Sequence, residues 1–416
     1  MDKLKFSNIA KSTTDRVYIK EEKGKDYVKF GQYNSFPEQL IELYNNSSIH
    51  NTCVNAIVDG IVGEGLIAEP EYVLEKANRD GETWNSLFKK VAQDYKLYGG
   101  FSLEVIWNKA RTAIAEVYHI DYSFLRAKEK DYRGKIPGYY VSDEWATEYK
   151  YTGKSVEDLP YLPVYNEYTN ETEPRQVYVY NPYRPGMKYY PLPDYVGALR
   201  VIDLDTEVDN FHINNIKNGL APSISVTTFT GADEEEREAI ERMLQLQYAG
   251  SNNAGSLMYI DVDSPENAPV ITPIPQNGAD GYYTNVNEMV MQKILTAHRI
   301  TSPMILGVKT AGQLGGRDEV VDAYLLLVNT VIRPYQQDIL SVFETLLEAK
   351  YPELDITLGV QQLKLFSDGE EETDVVTSID AEIGDDAGLE AEIEKADKEA
   401  EGATPTNEPI TELPLV

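Results

Sequence analysis

The chain has 416 residues, of which 42% are hydrophobic, and a formal net charge of −31. This length predicts two or three subdomains with sizeable cores, and no apolar run approaches the roughly 20 residues of a membrane-spanning helix. The negative charge excludes tight binding of nucleic acid by phosphate neutralisation. A single cysteine, Cys53, excludes an internal disulfide, and we interpret it as a small buried apolar residue in a reducing compartment. The N-terminus lacks the apolar core of a signal peptide, which predicts a protein made and used in a cytoplasm.

Helices followed by strands are predicted in the first part of the chain. The segment NSFPEQLIELYNNS opens the first helix, because Ser35 and Glu38 have the spacing of a capping box and Pro37 suits a first turn. Apolar residues at helical spacing predict a second helix over 49–61 and a third over 84–95. After Gly99 the period changes to two, which predicts strands over 101–107 and 114–120. This order is typical of an α+β unit.

The stretch 148–195 is rich in tyrosine and proline. One interpretation is an aromatic platform on which bases stack. The alternative is an extended, proline-punctuated edge whose tyrosines pack between subunits. The absence of a matching basic stripe favours the second interpretation.

The second half of the chain is predicted to consist of helices around a small strand–helix–strand insert. A helix over 201–217, with Leu204, Val208, Phe211 and Asn215 on one face, is expected to stop at Gly219. A strand, an acidic helix and a second strand follow, and then a helix over 285–299. A glycine-rich loop over 301–316 precedes a very long helix to Lys350, which Pro334 is expected to kink. The segment LDITLGVQQLKLF closes this part as a strand.

The C-terminal segment from Asp368 to Val416 contains 17 acidic residues, two lysines and no aromatic residue. This composition predicts a largely disordered tail, with a short helix across Gly388 to Glu401. The composition favours a solubilising tail over a docking segment or a repulsive collar.

The sequence carries few groups for catalysis or metal binding. Four histidines, His50, His119, His212 and His298, lie far apart without the spacing of metal ligands, and each is interpreted as a packed or surface residue. No phosphate-binding GxxxxGK[ST] loop, GxSxG, HExxH or CxxC motif is present. We therefore predict no catalytic residue, no metal site and no cofactor, and nothing favours an enzyme.

The order of these parts resembles that of phage portal proteins of the HK97-like group. LYGGFSLEV is similar to their glycine–aromatic strand, ITSPMILG to the motif before their tunnel loop, and RDEVVDAYLLLVNTVIRP to the helix after it. The resemblance covers residues 35–366. The Tyr/Pro-rich stretch and an acidic tail in place of a helical crown depart from the family pattern.

The resemblance implies an α+β portal fold and a ring, usually of twelve subunits, at one capsid vertex. It places a wing at 1–200, stem helices at 201–219 and 281–300, a clip at 220–280, a tunnel loop at 301–316, a long kinked helix at 317–351, a returning wing strand at 352–366 and the acidic tail at 367–416. The implied partners are further copies of the chain, double-stranded DNA passing without sequence specificity, the large terminase, the major capsid protein and a head–tail adaptor. The implied location is the virion, after assembly in the bacterial cytoplasm.

Two sets of residues are expected to carry this role. Glu234, Glu235, Glu238 and Arg242 of the clip would face the packaging motor and the adaptor. The tunnel-loop residues that would face DNA are Gly307, Val308, Lys309, Thr310, Gly312, Gln313, Gly315, Gly316 and Arg317. Glycines keep such a loop mobile, and small or apolar residues avoid base contacts of roughly 1–3 kcal/mol each that would trap the DNA. The alternatives are another head-completion or ring protein and a metal-dependent nuclease.

Overall fold

The structure, a computed structural model, describes residues 21–23, 27–31, 33–145, 159–170, 172–218, 224–228, 238, 257–261, 279–308, 317–363 and 376–378. Three helices open the described part: α1 (Phe36–Asn46), α2 (Ser48–Val62) and α3 (Trp84–Tyr98). The hydroxyls of Ser47 and Thr83 accept backbone N–H groups at the starts of α2 and α3. Gly99, with φ +84°, ends α3.

The capping box predicted for α1 is wrong. Ser35 precedes the helix, but its side chain caps no backbone N–H group. The Glu38 carboxylate instead lies 3.5 Å from Nη2 of the buried Arg126. An unpaired buried guanidinium is costly, so the Glu38 side chain pairs with Arg126 and does not cap the start of α1. Pro37 does lie in the first turn, as predicted.

The strands of the first part form small antiparallel sheets. These strands are β1 (Glu21–Lys23), β2 (Val28–Phe30), β3 (Gly65–Glu69), β4 (Phe101–Trp107), β5 (Ile114–Ile120), β6 (Leu125–Ala127), β7 (Gly138–Val141), β8 (Tyr161–Pro163) and β9 (Arg175–Tyr180). β1 pairs with β2, and the larger sheets have the orders β5–β4–β9 and β6–β7–β8. In register, Leu103 lies opposite His119 on one side and Tyr178 on the other.

Several described residues of the Tyr/Pro-rich stretch belong to the core of their own chain. β9 completes the β4 sheet, the ring of the buried Tyr190 stacks on Phe30 at 4.3 Å, and the Tyr195 hydroxyl donates to the Leu97 carbonyl at 2.7 Å. Tyrosine buries a large apolar ring while its hydroxyl finds a partner, which suits this position. The expectation that these tyrosines pack between subunits is therefore wrong for Tyr190 and Tyr195.

The second half supplies two paired helices and a parallel strand pair. α4 (Leu199–Asn218) packs against α5 (Ala279–Ala297), and β10 (Ile224–Thr228) pairs in parallel with β11 (Leu257–Asp261). The predicted strands are confirmed. Between them the structure describes residue 238 alone, which is helical. The predicted stop at Gly219 lies outside the described residues.

The predicted apolar face of α4 is partly wrong. Leu204 is 39% exposed, whereas Ile202, Asp205 and Val208 are buried. The helix is rotated because the Asp205 carboxylate accepts a hydrogen bond of 2.7 Å from the Ser47 hydroxyl at the start of α2. Periodicity of apolar residues cannot anticipate a buried carboxylate on the packed face.

The long helix after the loop is interrupted directly before Pro334. α6 (Arg317–Leu327) passes into a π-helical turn, Val328–Ile332, and continues as α7 (Arg333–Lys350). Proline has no N–H group and its ring crowds the carbonyl four residues earlier, which the wider turn relieves. The turn packs on α2, where Gly60 leaves room for the Ile332 side chain.

The end of the described chain returns to the first part. β12 (Thr357–Gln361) pairs antiparallel with β3, which confirms the predicted returning strand. Phe343 of α7 packs on Trp84 with ring centroids 5.1 Å apart, and both side chains are fully buried. β13 (Val376–Ser378) adds to the other edge of β12. Three residues of the acidic tail, predicted to be largely disordered, thus form a strand, and the helix predicted at 388–401 lies outside the described part.

Candidate functional site

The glycine-rich loop begins where α5 ends in a tight reversal. Arg299 has φ +58°, and the Ile300 N–H donates to the Leu295 carbonyl at 3.0 Å. A left-handed residue followed by such a bond is a Schellman ending, which reverses the chain within one turn. The chain therefore leaves the helix in a fixed direction.

A short capped turn then carries the chain to the loop. The Ser302 hydroxyl accepts the Met304 N–H at the start of a 3₁₀ turn, Pro303–Leu306, and Gly307 ends that turn with φ +77°. The Gly307 N–H donates to the Met304 carbonyl at 2.9 Å, and an added Cβ on Gly307 would meet nothing within 4 Å. The Thr301 hydroxyl ties this entrance to α6 by donating to the Ala323 carbonyl at 2.7 Å.

The structure reaches the first and last of the predicted tunnel-loop residues. Gly307 and Val308 are exposed at the end of the capped turn, and Arg317 is the first residue of α6. Among the predicted clip residues, Glu238 is exposed. The other predicted site residues lie outside the described part of the chain: Lys309, Thr310, Gly312, Gln313, Gly315, Gly316, Glu234, Glu235 and Arg242.

Asp194 joins the loop entrance to the first part of the chain. Its carboxylate receives the Lys96 ammonium at 2.8 and 3.0 Å and Nη2 of Arg299 at 3.4 Å. The Lys96 side chain is fully buried, and burial lowers its pKa. Burial alone would raise the pKa of Asp194, but Lys96 and Arg299 hold that pKa below its ordinary value. The Lys96–Asp194 pair is thus largely excluded from solvent, whereas Arg299, which links the loop entrance to it, is half exposed.

Next to this ion pair lie two histidines in direct contact. Nδ1 of His50 is 2.9 Å from Nε2 of His298, and both side chains are fully buried. Burial lowers the pKa of His50 to about 4 and that of His298 well below its ordinary value. Both rings are therefore neutral at pH 7, and one donates its proton to the other's lone pair. The remaining ring nitrogens, Nε2 of His50 and Nδ1 of His298, are buried without a hydrogen-bond partner in the described structure.

No sequence pattern signals this histidine pair, because 248 positions separate its members. Nor does any pattern signal the buried carboxylate of Asp205, whose pKa is raised by burial. Its neighbours on α4, Asp203, Glu207 and Asp209, are exposed. The exposed negative charge of this helix therefore comes from those three residues and not from Asp205.

Apolar side chains are exposed on the helices around the loop. They are Leu204 and Ile213 of α4, Met289 of α5, Val308 at the loop entrance, and Leu325 and Leu326 of α6, each between 39% and 52% exposed. Other large hydrophobic side chains are exposed elsewhere, among them Phe124 and Leu363, and single exposed apolar residues are ordinary.

The described residues offer little for chemistry. They contain no group of three or more His, Cys, Asp or Glu side chains that could hold a metal ion. None of the helices described is long and apolar enough to cross a bilayer.

The chain is similar in sequence to a described phage protein. No family model matches the chain. The chain is 28% identical over 133 residues to a protein of Haemophilus phage HP1 described as "Probable portal protein", which covers 31% of this chain and 38% of that relative. The match thus spans less than two fifths of the relative's length.

The structural likeness is far more extensive. A chain in the virion of a native gene transfer agent particle covers 89% of this chain and 91% of its own length, with 14% identity and a TM-score of 0.52. A chain in the neck of the empty particle, computed with C6 symmetry, gives 13% identity, the same coverage and a TM-score of 0.53. A neck structure of the native particle, computed with C12 symmetry, gives 14% identity and a TM-score of 0.51. The protein has the fold of these virion neck chains, and the predicted α+β class is confirmed.

Proposed function

We propose that this protein is a portal protein, which forms the ring-shaped channel at one capsid vertex through which DNA is packaged and ejected. The observation that carries the proposal is the shared fold with virion neck chains over about nine tenths of both chains. The portal-protein relative from phage HP1 supports it independently through sequence. The neck assemblies to which those chains belong are rings, so we expect this chain to form a homo-oligomeric ring, of twelve subunits.

In this assignment the parts of the chain take separate roles. Residues 1–200 with β12 form the wing, α4 and α5 the stem, 220–280 the clip, 301–316 the tunnel loop, and α6 and α7 the long helix beside the channel. The exposed apolar residues of α4, α5 and α6 lie on the stem and the long helix, where neighbouring copies would cover them. Exposed Asp203, Glu207 and Asp209 would give that stem a negative surface that repels a passing duplex.

The proposed partners follow from the same role. The ring would pass double-stranded DNA without sequence specificity, dock the large terminase and later the head–tail adaptor at the clip, and contact the major capsid protein through the wing. Its role is structural rather than enzymatic. We place it in the virion, after assembly in the bacterial cytoplasm.

Imaging of the purified full-length protein by negative-stain electron microscopy tests the proposal. We expect rings with a central hole. A protein that stays monomeric in light scattering across concentration and salt, also with capsid or scaffold protein added, would contradict it. Rings that form but do not support packaging would favour a different head-completion protein. Metal-dependent cleavage of duplex DNA would favour a nuclease.

A further inference from the structure

A basic hairpin projects from the acidic wing. The connection between β6 and β7 carries Lys128, Lys130, Arg133 and Lys135 against two acids, Glu129 and Asp131. Lys128, Arg133 and Lys135 are exposed and Lys130 is partly so. A local excess of positive charge stands out in a chain whose formal charge is −31.

The carboxylate at the centre of this hairpin, Asp131, accepts hydrogen bonds from backbone N–H groups. Oδ1 of Asp131 accepts the N–H groups of Arg133 at 2.8 Å and Lys135 at 2.9 Å, which fixes the turn. In the described part of the chain, no carboxylate lies within salt-bridge distance of the four basic side chains. Their charges are thus available to a partner.

Aromatic rings hold three of these cations in place. The Lys128 ammonium lies 5.1 Å from the centroid of the Tyr161 ring, and the Lys130 ammonium 5.0 Å from that of Tyr189. The Arg133 guanidinium lies 5.1 Å from the Tyr132 ring, which is itself 88% exposed. Cation–π contacts restrict long side chains that would otherwise lose entropy on binding. The hairpin therefore presents an ordered basic and aromatic surface, hereafter the basic hairpin.

We propose that the basic hairpin docks the acidic C-terminal segment of this protein, residues 379–416. That segment carries twelve acidic residues and two lysines, a formal charge of −10, which complements the hairpin. It follows directly after β13, which lies on the wing. At about 3.3–3.6 Å per residue in extended form, it can span the wing of its own subunit or of a neighbour.

Tethering makes this contact effective although each ion pair is weak. A covalently linked segment has an effective concentration in the millimolar range, so many exposed charge pairs suffice to keep it bound. A free polyanion such as duplex DNA lacks that advantage and meets the repulsion of the whole chain. The contact is expected to be reversible and to weaken as salt rises.

Energy transfer between two dyes on the full-length protein tests the proposal. Gly134→Cys places one thiol inside the basic hairpin, where an added Cβ meets nothing within 4 Å although the φ of +76° is strained for a residue with a side chain, and Ala400→Cys places the other in the acidic segment. The native Cys53 is fully buried and should not react. We expect high transfer at low salt that falls by about half or more at 0.5 M salt, where the Debye length is a few ångströms.

Matched charge reversals give the control. Lys128→Glu, Arg133→Glu and Lys135→Glu together should reduce transfer to the high-salt level. Lys76→Glu, Lys89→Glu and Lys109→Glu change the net charge equally at exposed sites elsewhere on the wing and should leave transfer unchanged. Equal melting temperatures for the two variants show that both are folded.

Several results would overturn the docking of the segment. These are low transfer in the unsubstituted background at every salt concentration, equal loss in both charge-reversal variants, or transfer that does not respond to salt. Binding of a duplex oligonucleotide that is lost only in the hairpin variant, combined with low transfer, would assign the surface to nucleic acid instead.

Discussion

Asp194 holds two cations that come from different parts of the protein. Lys96 belongs to α3 in the interior of the first part, and Arg299 belongs to the reversal that leads into the loop. A carboxylate that is shared in this way fixes the position of the loop entrance relative to the wing. An unpaired buried charge is energetically costly, so the loss of either Lys96 or Asp194 should destabilise the fold.

Replacing Asp194 with Asn should destabilise the protein by about 3 kcal/mol or more, because it leaves the buried Lys96 ammonium without a counter-charge. Chemical denaturation followed by circular dichroism measures this loss. The double variant Asp194→Asn with Lys96→Met removes both charges and should recover part of the stability. Equal stability of the single variant and the unchanged protein would show that the ion pair contributes nothing.

The histidine pair predicts how stability depends on pH. In the unfolded chain a histidine titrates near pH 6.5, whereas burial holds the folded-state pKa of His50 at about 4. The unfolded state therefore binds more protons in this window, so stability is lost as pH falls from about 6.5 to 4. His50 alone accounts for about 3 kcal/mol of that loss.

The measurement is the free energy of unfolding at several pH values. The double variant His50→Gln with His298→Gln cannot titrate, so its stability should fall less steeply between pH 6.5 and 4. The comparison of slopes removes the contributions of other groups, such as Asp94, whose pKa is raised by burial to about 6. Parallel slopes for the two proteins would contradict the buried neutral pair.

At the scale of elements, the loop is a connector with a rigid entrance. The Schellman ending of α5, the capped 3₁₀ turn and the Thr301–Ala323 hydrogen bond fix its start. On its far side, α6 leads to the π turn that packs on Gly60 of α2. Freedom in the loop is thus expected to begin at Gly307, whose positive φ and open surroundings place no side chain against the protein.

Gly307 and Gly81 form a matched pair for testing that role. Both have positive φ, +77° and +85°, and neither has an atom within 4 Å of an added Cβ. Replacing either with Val should cost a similar 1–2 kcal/mol, about the price of a left-handed conformation. Only Gly307→Val is expected to reduce the length of packaged DNA, since Gly81 precedes α3 in the part that we propose as the wing. Equal packaging by both variants would refute a moving loop.

The glycines within the predicted loop should behave in the same way. Valine at Gly312, Gly315 and Gly316 should leave ring assembly intact and impair packaging or retention of DNA, because Val is stiff and avoids positive φ. Removing the charge of Lys309 should have a smaller effect that depends on salt. Normal packaging with a lowered melting temperature would mean that these glycines only end helices.

At the scale of the whole molecule, the exposed apolar residues predict where copies meet. Replacing Leu325 and Leu326 with Ser removes two half-exposed side chains of α6, each worth about 1.5 kcal/mol or more if a neighbour buries it. We expect the ring population to fall in mass photometry, while the helical content of the subunit is unchanged. Tyr168→Ser with Tyr183→Ser, at exposed sites in the proposed wing, is the control and should leave the ring intact.

Deletion of residues 368–416 should leave the ring intact. The segment has few large apolar residues to contribute to a core, and the strand β13 that it supplies pairs only with the outer edge of β12. The inner edge of β12 stays paired with β3. Loss of assembly in the truncated protein, measured by electron microscopy, would show that the tail is structural.

Local patterns predicted the elements well because their causes are local. The alternation after Gly99 gave β4 and β5, and Pro334 marked the interruption of the long helix. The resemblance to portal proteins predicted the α+β fold, which agrees with the fold found by comparison.

The predictions that failed concern residues whose partners are distant in sequence. The Glu38 side chain pairs with Arg126 instead of capping α1. The Asp205 carboxylate pairs with Ser47, 158 positions away, and so decides which face of α4 is buried. His50 and His298 meet only because α2 and α5 pack together. A single sequence shows no periodic pattern for such pairs, so the sequence proposes a loop as the candidate site but does not describe the contacts that anchor it.

The pairing of β12 with β3 has a consequence for synthesis on the ribosome. About two thirds of the chain lies between these strands, and α7, which covers Trp84, is also made late in synthesis. Contacts between such distant segments form late, since a long loop must close before they contribute. The nascent chain therefore carries an unfinished core until its last quarter emerges. A product of premature termination before α7 should be left with exposed apolar surface and fail to fold, so that only complete subunits are available for assembly.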